Sequence, residues 1–397
     1  MEFKIPFSGR GQAYTEAEVQ VVVEAMRTAN PLSLGKYHRD FQAAFRDYLG
    51  VAGAFPVCNG TAALELTAQL CCLAPGDEVV IPSHTYVATA LPFLRQGARI
   101  VWADIDPDTR VVTAETLAKC LTPRTRVLVA VHLYGFSADM PAIMDLARAY
   151  RLLVVEDAAQ SLGSGIDGRL TGSFGDFAVF SFHSHKNVST LGEGGMLVVR
   201  DPDLQTRIPS LISNGYGPFP FPREDYWLPA MGNVDLCHWL DHDILPGKYS
   251  LGEVQCALGS ALLQRADQIA AEKRERALAF MDELRDFPEL IFHREASARH
   301  NYHLLVAWAK PGPKWRNHLI RTLARDKGVQ CVVQYYPLNR YPLFQKTGFS
   351  KADCPQADRF FDAMISFPFH HWLSAEDQAY MLAATREILE KIRSESV

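Results

Sequence analysis

Nowhere does an apolar run approach the roughly 20 residues that a membrane-spanning helix needs, and the opening "MEFKIPFSGRGQAYTEAEVQ" lacks the charged start and apolar stretch of a secretory signal. A cytoplasmic protein with no membrane partner is therefore expected. Blocks of like charge are missing too: 40 basic and 45 acidic residues are mixed along 397, for a formal charge of −5. That pattern argues against nucleic acid as a partner. Cysteine is sparse, eight in all with no C-x-x-C pair, so neither a disulfide framework nor a zinc site is expected and the thiols read as mostly buried. The 13 histidines show no H-E-x-x-H spacing; "FHSH" and the pair at 370 and 371 lack ligands at suitable spacing, and no metal is expected. No G-x-x-x-x-G-K-[ST] occurs, and "GEGGML" fails G-x-G-x-x-G at its last glycine.

The chain does have enough apolar content, 48% over 397 residues, for a large core and two domains. Short runs rich in Val and Ile stand between turn residues: "EVVIP" near 78, "RIVWADI" near 99, "RVLVAVHL" near 126, "RLLVVEDA" near 151 and "DFAVFSF" near 176. Helical patterns such as "TAALELTAQLCCL" and "DMPAIMDLARAY" separate most of them. Alternating strand and helix predicts an α/β fold with a mainly parallel sheet covered by helices. From 203 to 247 the rhythm breaks into a stretch rich in Pro, Gly and aromatics, which reads as a long ordered loop, a candidate interface or substrate wall. "YSLGEVQCALGSALLQRADQIAAEKRERALAFMDEL" then predicts one helix of some thirty residues bridging two domains. The expected division is a large domain over 1–247 and a smaller C-terminal α/β domain over 248–397, with strands near 302 and 330 and a helix near 375–393.

Open α/β sheets bind ligands beyond the carboxyl ends of their strands. That rule selects His84, Thr85 and Tyr86, then His132 and Tyr134, Glu156 and Asp157, and finally Ser181, His183, His185 and Lys186. Asp157 could instead cap a helix over "DAAQS", and His132 and Tyr134 could be satisfied semi-buried residues. A lysine at a turn is by default a surface residue. Lys186, however, follows an apolar strand and precedes the tight "GEGGM" loop, surroundings that desolvate an amine and suit an imine-forming lysine. At "CNGTAALELTAQ", Asn59, Gly60 and Thr61 open a helix; its amides and the Thr61 hydroxyl are either an anion site or an ordinary cap. An anion site, an aromatic, an acid and a lysine together are the four functions a pyridoxal phosphate site needs.

The segments "NGTAALEL", "IPSHTYVATA", "ADIDPDT", "VHLYGFSADM", "VEDAAQSLGS", "FGDFAVFSFHSHKNVSTLGEGGM" and "LGEVQCALG" resemble, in order, those of the DegT/StrS family of sugar aminotransferases. The resemblance implies fold type I, the three-layer architecture of aspartate aminotransferase. It implies pyridoxal 5'-phosphate as cofactor, held as an imine by Lys186, with Asp157 on the pyridine nitrogen, Gln160 near the ring hydroxyl and Tyr86 stacked on the ring. Gly60, Thr61 and Ser181 match phosphate positions, and His183 matches a position beside the site. A related branch with histidine in place of the lysine catalyses dehydration; Lys186 stands at that place here, beside His185. Many members have Asn-Tyr-Arg where this chain has "KYS", so Lys248 stands where the asparagine reaches the neighbouring subunit's phosphate in a homodimer. Asn214, in "SNGYG", stands in the family's Asn-His-Gly segment. The implied reaction is ping-pong amino transfer from L-glutamate to an oxo-sugar. "IPFSGRG", "FHSHKN", "YWLPAMGN", "HNYHLLV" and "CVVQYYPLNRYPLF" resemble the branch that aminates 8-oxo-Kdo to 8-amino-3,8-dideoxy-manno-octulosonate for lipopolysaccharide. An acidic sugar needs cations, which Arg10, Lys248 or Arg340 could supply unless they are solvated surface charges. The alternative acceptor is a nucleotide-linked 3- or 4-keto-deoxysugar; the alternative of another class is a non-catalytic cofactor-binding regulator.

Overall fold

The computed structural model describes residues 2–217, 233–234, 244–293, 299–347 and 353–395. Its strands in chain order are β1 (Ala54–Val57), β2 (Glu78–Pro82), β3 (Arg99–Ala103), β4 (Thr125–Val131), β5 (Leu153–Asp157), β6 (Gly165–Ile166), β7 (Arg169–Leu170), β8 (Phe177–Ser181), β9 (Gly195–Val199), β10 (Tyr216–Gly217), β11 (Asn233–Val234), β12 (Leu290–Phe292), β13 (Leu305–Ala309) and β14 (Met364–Phe367). Seven form the central sheet in the order β1-β9-β8-β5-β4-β2-β3. Only β9 runs against the rest. The five runs read from the sequence are β2, β3, β4, β5 and β8. β2 and β9 are buried along their whole length, as strands covered on both faces must be. β1 and β9 escape the pattern: "AFPV" carries Pro56, which is tolerated because β1 is an edge strand.

Side-chain alternation divides the sheet between two helical layers. Phe177 and Val179 of β8, with Leu197 and Val199 of β9, enter the larger core. Ala178, Phe180, Met196 and Val198 face the other way. There they meet Phe41 and Phe45 of α2 (Lys36–Leu49), with Phe45 and Phe180 edge to face at 5.0 Å. The layers and the mainly parallel sheet are those of the expected fold type I.

The long helical run near 250–284 is two helices, α8 (Glu253–Leu263) and α9 (Ala266–Glu283). Between them Arg265 leaves the helical conformation, its guanidinium donating to Glu18 Oε1 (2.6 Å) and the Ala13 carbonyl (3.2 Å). α8 packs on α2 and on α1 (Glu16–Thr28). Ala277, Phe280 and Met281 of α9 instead enter a separate core with β12-β13-β14 and the last helix, Ala375–Glu395. Ile5 joins that core through a bridge to Val329, so the chain begins on the smaller unit. Near 330 the expected strand is only two isolated bridges, at Val329 and Val332. Within 203–247 the start is not loop but the helix Pro202–Leu211, capped by Asp201; "YWLPAMGN" lies mostly outside the described residues. None of the seven cysteines described is in a disulfide; Cys71, Cys256, Cys331 and Cys354 are buried and Cys72 is exposed, while Cys237 lies outside. No helix among the described residues is long and apolar enough to cross a membrane.

Candidate active site

Beyond the carboxyl ends of β2, β4, β5 and β8 lies a cavity of about 430 Å³. Lys186 lines it, on the turn after β8. Its backbone N–H donates to the His183 carbonyl at 2.8 Å, which closes the turn. From the other side Gly11 presses on this turn: its N–H donates to Ser184 O (2.7 Å), and a Cβ there would lie 2.5 Å from the Lys186 oxygen. Burial pulls the Lys186 ammonium down to about 8, against a smaller upward pull from Asp157. A half-buried amine lowered in this way is a better nucleophile and base than a solvated surface lysine.

Asp157 ends β5 and points into the same cavity, 6% exposed. No helix follows it, so it caps nothing. Its Oδ2 accepts from Thr89 Oγ1 (2.8 Å), itself paired with Thr85 Oγ1 (3.0 Å), and its Oδ1 accepts from the Ala159 N–H (3.2 Å).

The third component is the start of α3 (Gly60–Leu70). Asn59, not Thr61, caps it, accepting from the Ala62 N–H at 2.8 Å. The Gly60 and Thr61 amides, unpaired within the helix, stand at the cavity wall. Two glycines let the backbone come this close. A Cβ on Gly60 would lie 3.0 Å from Ser181 Cβ, and one on Gly195 would lie 2.5 Å from the Asn59 carbonyl carbon. The result is a cradle of amides with the Ser181 side chain beside it, suited to a phosphate.

Of the other expected residues, Tyr86, Gln160, His183 and Arg10 all line the cavity. Tyr86 is 56% exposed, edge to face with Tyr335 at 5.9 Å. Gln160 accepts from the Tyr134 N–H (2.7 Å) and donates to Tyr335 Oη (3.1 Å). Arg10 lies over Tyr14 and Trp372 with ring centroids at 5.6 and 5.9 Å. Arg340 is a correction: it does not line the cavity, because Asp358 and Asp362 hold its guanidinium at 2.6 and 2.7 Å. Lys248 is exposed, bridged through its backbone to Ser213, and lies outside the cavity. Asn214 takes a left-handed conformation beside Gly247. His132 and Tyr134 are buried and satisfied, His132 by Glu156 and Tyr134 by His84 and the Gln334 carbonyl. Among the described residues no group of three or more His, Cys, Asp and Glu could hold a metal ion.

Sequence reasoning missed Thr89, Tyr335, Glu193 and a second lysine, Lys273, which also line or support the cavity. Thr89 follows Thr85 by one helical turn, a signal that could have been read; Lys273 comes from a helix of the smaller unit and leaves no local signal. The two lysines differ. Burial pulls Lys273 down as well, to about 7, but its Nζ is engaged by three acceptors. Lys186 lines the cavity with Asp157, whose charge partly offsets the effect of burial on its amine.

A half-buried amine, a carboxylate and an amide cradle around one cavity fit pyridoxal phosphate, and comparison with known proteins points the same way. The chain is 38% identical to the GDP-perosamine synthase of Caulobacter vibrioides over 67% of its own length and 66% of that protein's. It is 31% identical to the dTDP-4-dehydro-2,3,6-trideoxy-D-glucose 4-aminotransferase of Saccharopolyspora spinosa, over 89% of each chain. Among solved structures it superimposes on Helicobacter pylori PseC, an aminotransferase of pseudoaminic acid biosynthesis, with a TM-score of 0.86 and 25% identity over 98% of this chain and 100% of that one. Residues 12–386 match the family described as DegT/DnrJ/EryC1/StrS aminotransferases. That match takes in the amide cradle, the Asp157 strand end and the Lys186 turn alike, and the chain belongs to the DegT/DnrJ/EryC1/StrS aminotransferase family.

Proposed function

We propose that this pyridoxal phosphate-dependent aminotransferase moves an amino group from L-glutamate to a nucleotide-linked 3- or 4-keto-deoxysugar. The observation that carries the reading is the convergence of Lys186, Asp157 and the α3 N-terminus on one cavity. The Gly60 and Thr61 amides, with the Thr61 and Ser181 hydroxyls, would bind the phosphate. Asp157, oriented by Thr89, would accept from the ring nitrogen and keep a proton there. Tyr86 would cover one ring face, Gln160 would lie near the ring hydroxyl, and Lys186 would hold the cofactor covalently through Nζ. Bound pyridoxal phosphate supplies the electron sink for a carbanion next to nitrogen. Lys186 Nζ, when not engaged with the cofactor, would act as the base that takes the proton from the donor α carbon and, as the ammonium, would return it to the carbon that the electron pair reaches. In the cofactor-free cavity burial brings that amine down to about 8, so it gives up its proton more readily than a surface lysine does. The same residues serve the second half-reaction in reverse, which gives ping-pong kinetics.

The acceptor is argued from the relatives. Two carry GDP and dTDP sugars in their names, which supports a nucleotide-linked acceptor better than 8-oxo-Kdo. The acidic-sugar argument is also weaker than the sequence suggested, since Arg340 is already neutralised by two aspartates. We read the protein as a homodimer in which exposed Lys248 reaches the neighbour's phosphate; light scattering that gives a monomer would overturn this. For the site, borohydride reduction of cofactor-loaded protein followed by peptide mapping should label Lys186, and a label on Lys273 would refute the assignment. For the acceptor, GDP-, dTDP- and UDP-linked keto-sugars are compared with 8-oxo-Kdo under glutamate; turnover of 8-oxo-Kdo alone would reverse our choice.

A further inference from the structure

A buried ammonium with no carboxylate beside it is costly, and proteins keep one where it holds something in place. Lys273 on α9 is 2% exposed. Its Nζ donates to Asn187 Oδ1 at 2.9 Å, to the His303 carbonyl at 2.9 Å and to the Phe369 carbonyl at 3.2 Å. Burial works against the charge, but three acceptors and no donor match the three N–H bonds of an ammonium, and a neutral amine would turn its lone pair toward one of those oxygens. The acceptors come from three separate segments. Asn187 follows Lys186, His303 precedes β13, and Phe369 follows β14.

Asn187 is the point where these segments meet. Its backbone oxygen accepts from Gln12 Nε2 at 3.2 Å, and its Oδ1 lies 3.4 Å from His303 Nδ1. Its Nδ2 is buried without a hydrogen-bond partner, so the side chain is held through Oδ1. Gly11 meanwhile closes on the Lys186 carbonyl from the N-terminal segment. The turn carrying Lys186 is thus gripped on one side by the N-terminal segment and on the other by Lys273.

We propose that Lys273 is a positioning residue for the amino transfer: it fixes Asn187, and through it the backbone that aims Lys186 into the cavity. The proposal rests on Lys186 being the lysine that holds the cofactor. It gives the smaller unit a part in the chemistry, since α9 and the segments at His303 and Phe369 all meet at this one ammonium.

The test compares Lys273→Met, Asn187→Ala and the double variant with the wild type. In cofactor-free protein, amide hydrogen exchange over residues 184–190, read by mass spectrometry, should be about tenfold faster or more in either single variant. In the loaded enzyme kcat should fall about 10–100-fold with the donor KM within about threefold, the cost of a misplaced reacting group. Because both substitutions break one link, the double variant should be within about twofold of the worse single. Unchanged exchange, or kcat losses that multiply in the double variant, would overturn the proposal. If Lys273→Met does not fold, Asn187→Ala leaves the ammonium two of its three acceptors and gives the same two readouts. Borohydride labelling on another lysine would sink the Lys186 assignment, while exchange in cofactor-free protein still decides whether the clamp exists.

Discussion

Replacing Lys186 with methionine should stabilise the cofactor-free protein below pH 8, and the gain should fade as pH rises toward 10.5. In the fold the ammonium is pulled from 10.5 to about 8, chiefly because burial removes water from the charge. At about 1.4 kcal/mol per pH unit this amounts to about 3 kcal/mol. The cavity side of Lys186 stays open, so that figure is a ceiling. Below pH 8 the lysine is charged in both folded and unfolded states, and the full cost stands. Between 8 and 10.5 the unfolded chain binds the extra proton, so wild-type stability rises with pH. Above 10.5 the amine is neutral in both states and the cost is gone. Urea midpoints of the two proteins at pH 7, 8, 9 and 10, at one protein concentration, isolate the effect, because other titrating groups cancel in the difference. The methionine variant should be ahead by up to about 3 kcal/mol at pH 7, with the lead shrinking at each step above 8. A lead that is constant with pH, or that grows, would refute the view that Lys186 is desolvated.

Three further substitutions probe the rest of the site. Asp157→Asn should still bind pyridoxal phosphate through the intact cradle, yet slow the glutamate half-reaction by about 100-fold or more in a single-turnover spectrum, and a loss under about fivefold would remove Asp157 from the chemistry. Gly195→Ala puts a methyl 2.5 Å from the Asn59 carbonyl carbon and 2.7 Å from the Gly60 nitrogen. The α3 start must shift, and cofactor affinity measured by fluorescence titration should fall by about tenfold or more. Arg340→Ala should cost about 1 kcal/mol in a urea titration through its two aspartates and leave both KM values within about twofold. A tenfold rise in either KM would return Arg340 to the substrate site.

Much of this site was legible because its chemistry sits where apolar runs stop. Asp157 and Ser181 end strands whose Val and Phe content announces them, Lys186 follows the second of these, and Asn59-Gly60-Thr61 opens a helix with clear periodicity. What was not legible depends on contacts between distant segments. Lys273 reads as one more basic residue in "AEKRER", and only the arrival of Asn187, 86 residues away, makes it part of the site. Arg340 fails for the same reason in reverse. In the sequence it is a free cation beside aromatics; in the fold Asp358 and Asp362 of a single helix, Pro355–Ala363, come round to meet it. The helix break at Arg265 was hidden because apolar spacing continues across it, while Glu18, the partner of its guanidinium, belongs to another helix.

The pair Glu156-Asp157 shows how neighbours, not residue type, assign a role. Both are carboxylates at the end of β5, and alternation along the strand sends them to opposite faces. A carboxylate offers about four lone-pair directions. Glu156 fills its own with the Gly172, Phe174 and Gly175 N–H groups, each at 2.7 Å, and with His132 Nε2 at 3.0 Å. It fixes the loop that feeds β8 and so the start of the strand that carries Ser181 and leads to Lys186. Asp157 has two donors, Thr89 and Ala159, and faces the cavity with acceptor capacity left over. A fully occupied carboxylate cannot take a further N–H without breaking a bond it already makes. Asp157 can take one, and for that reason it is the member of the pair able to hold a ring nitrogen while Glu156 holds the scaffold.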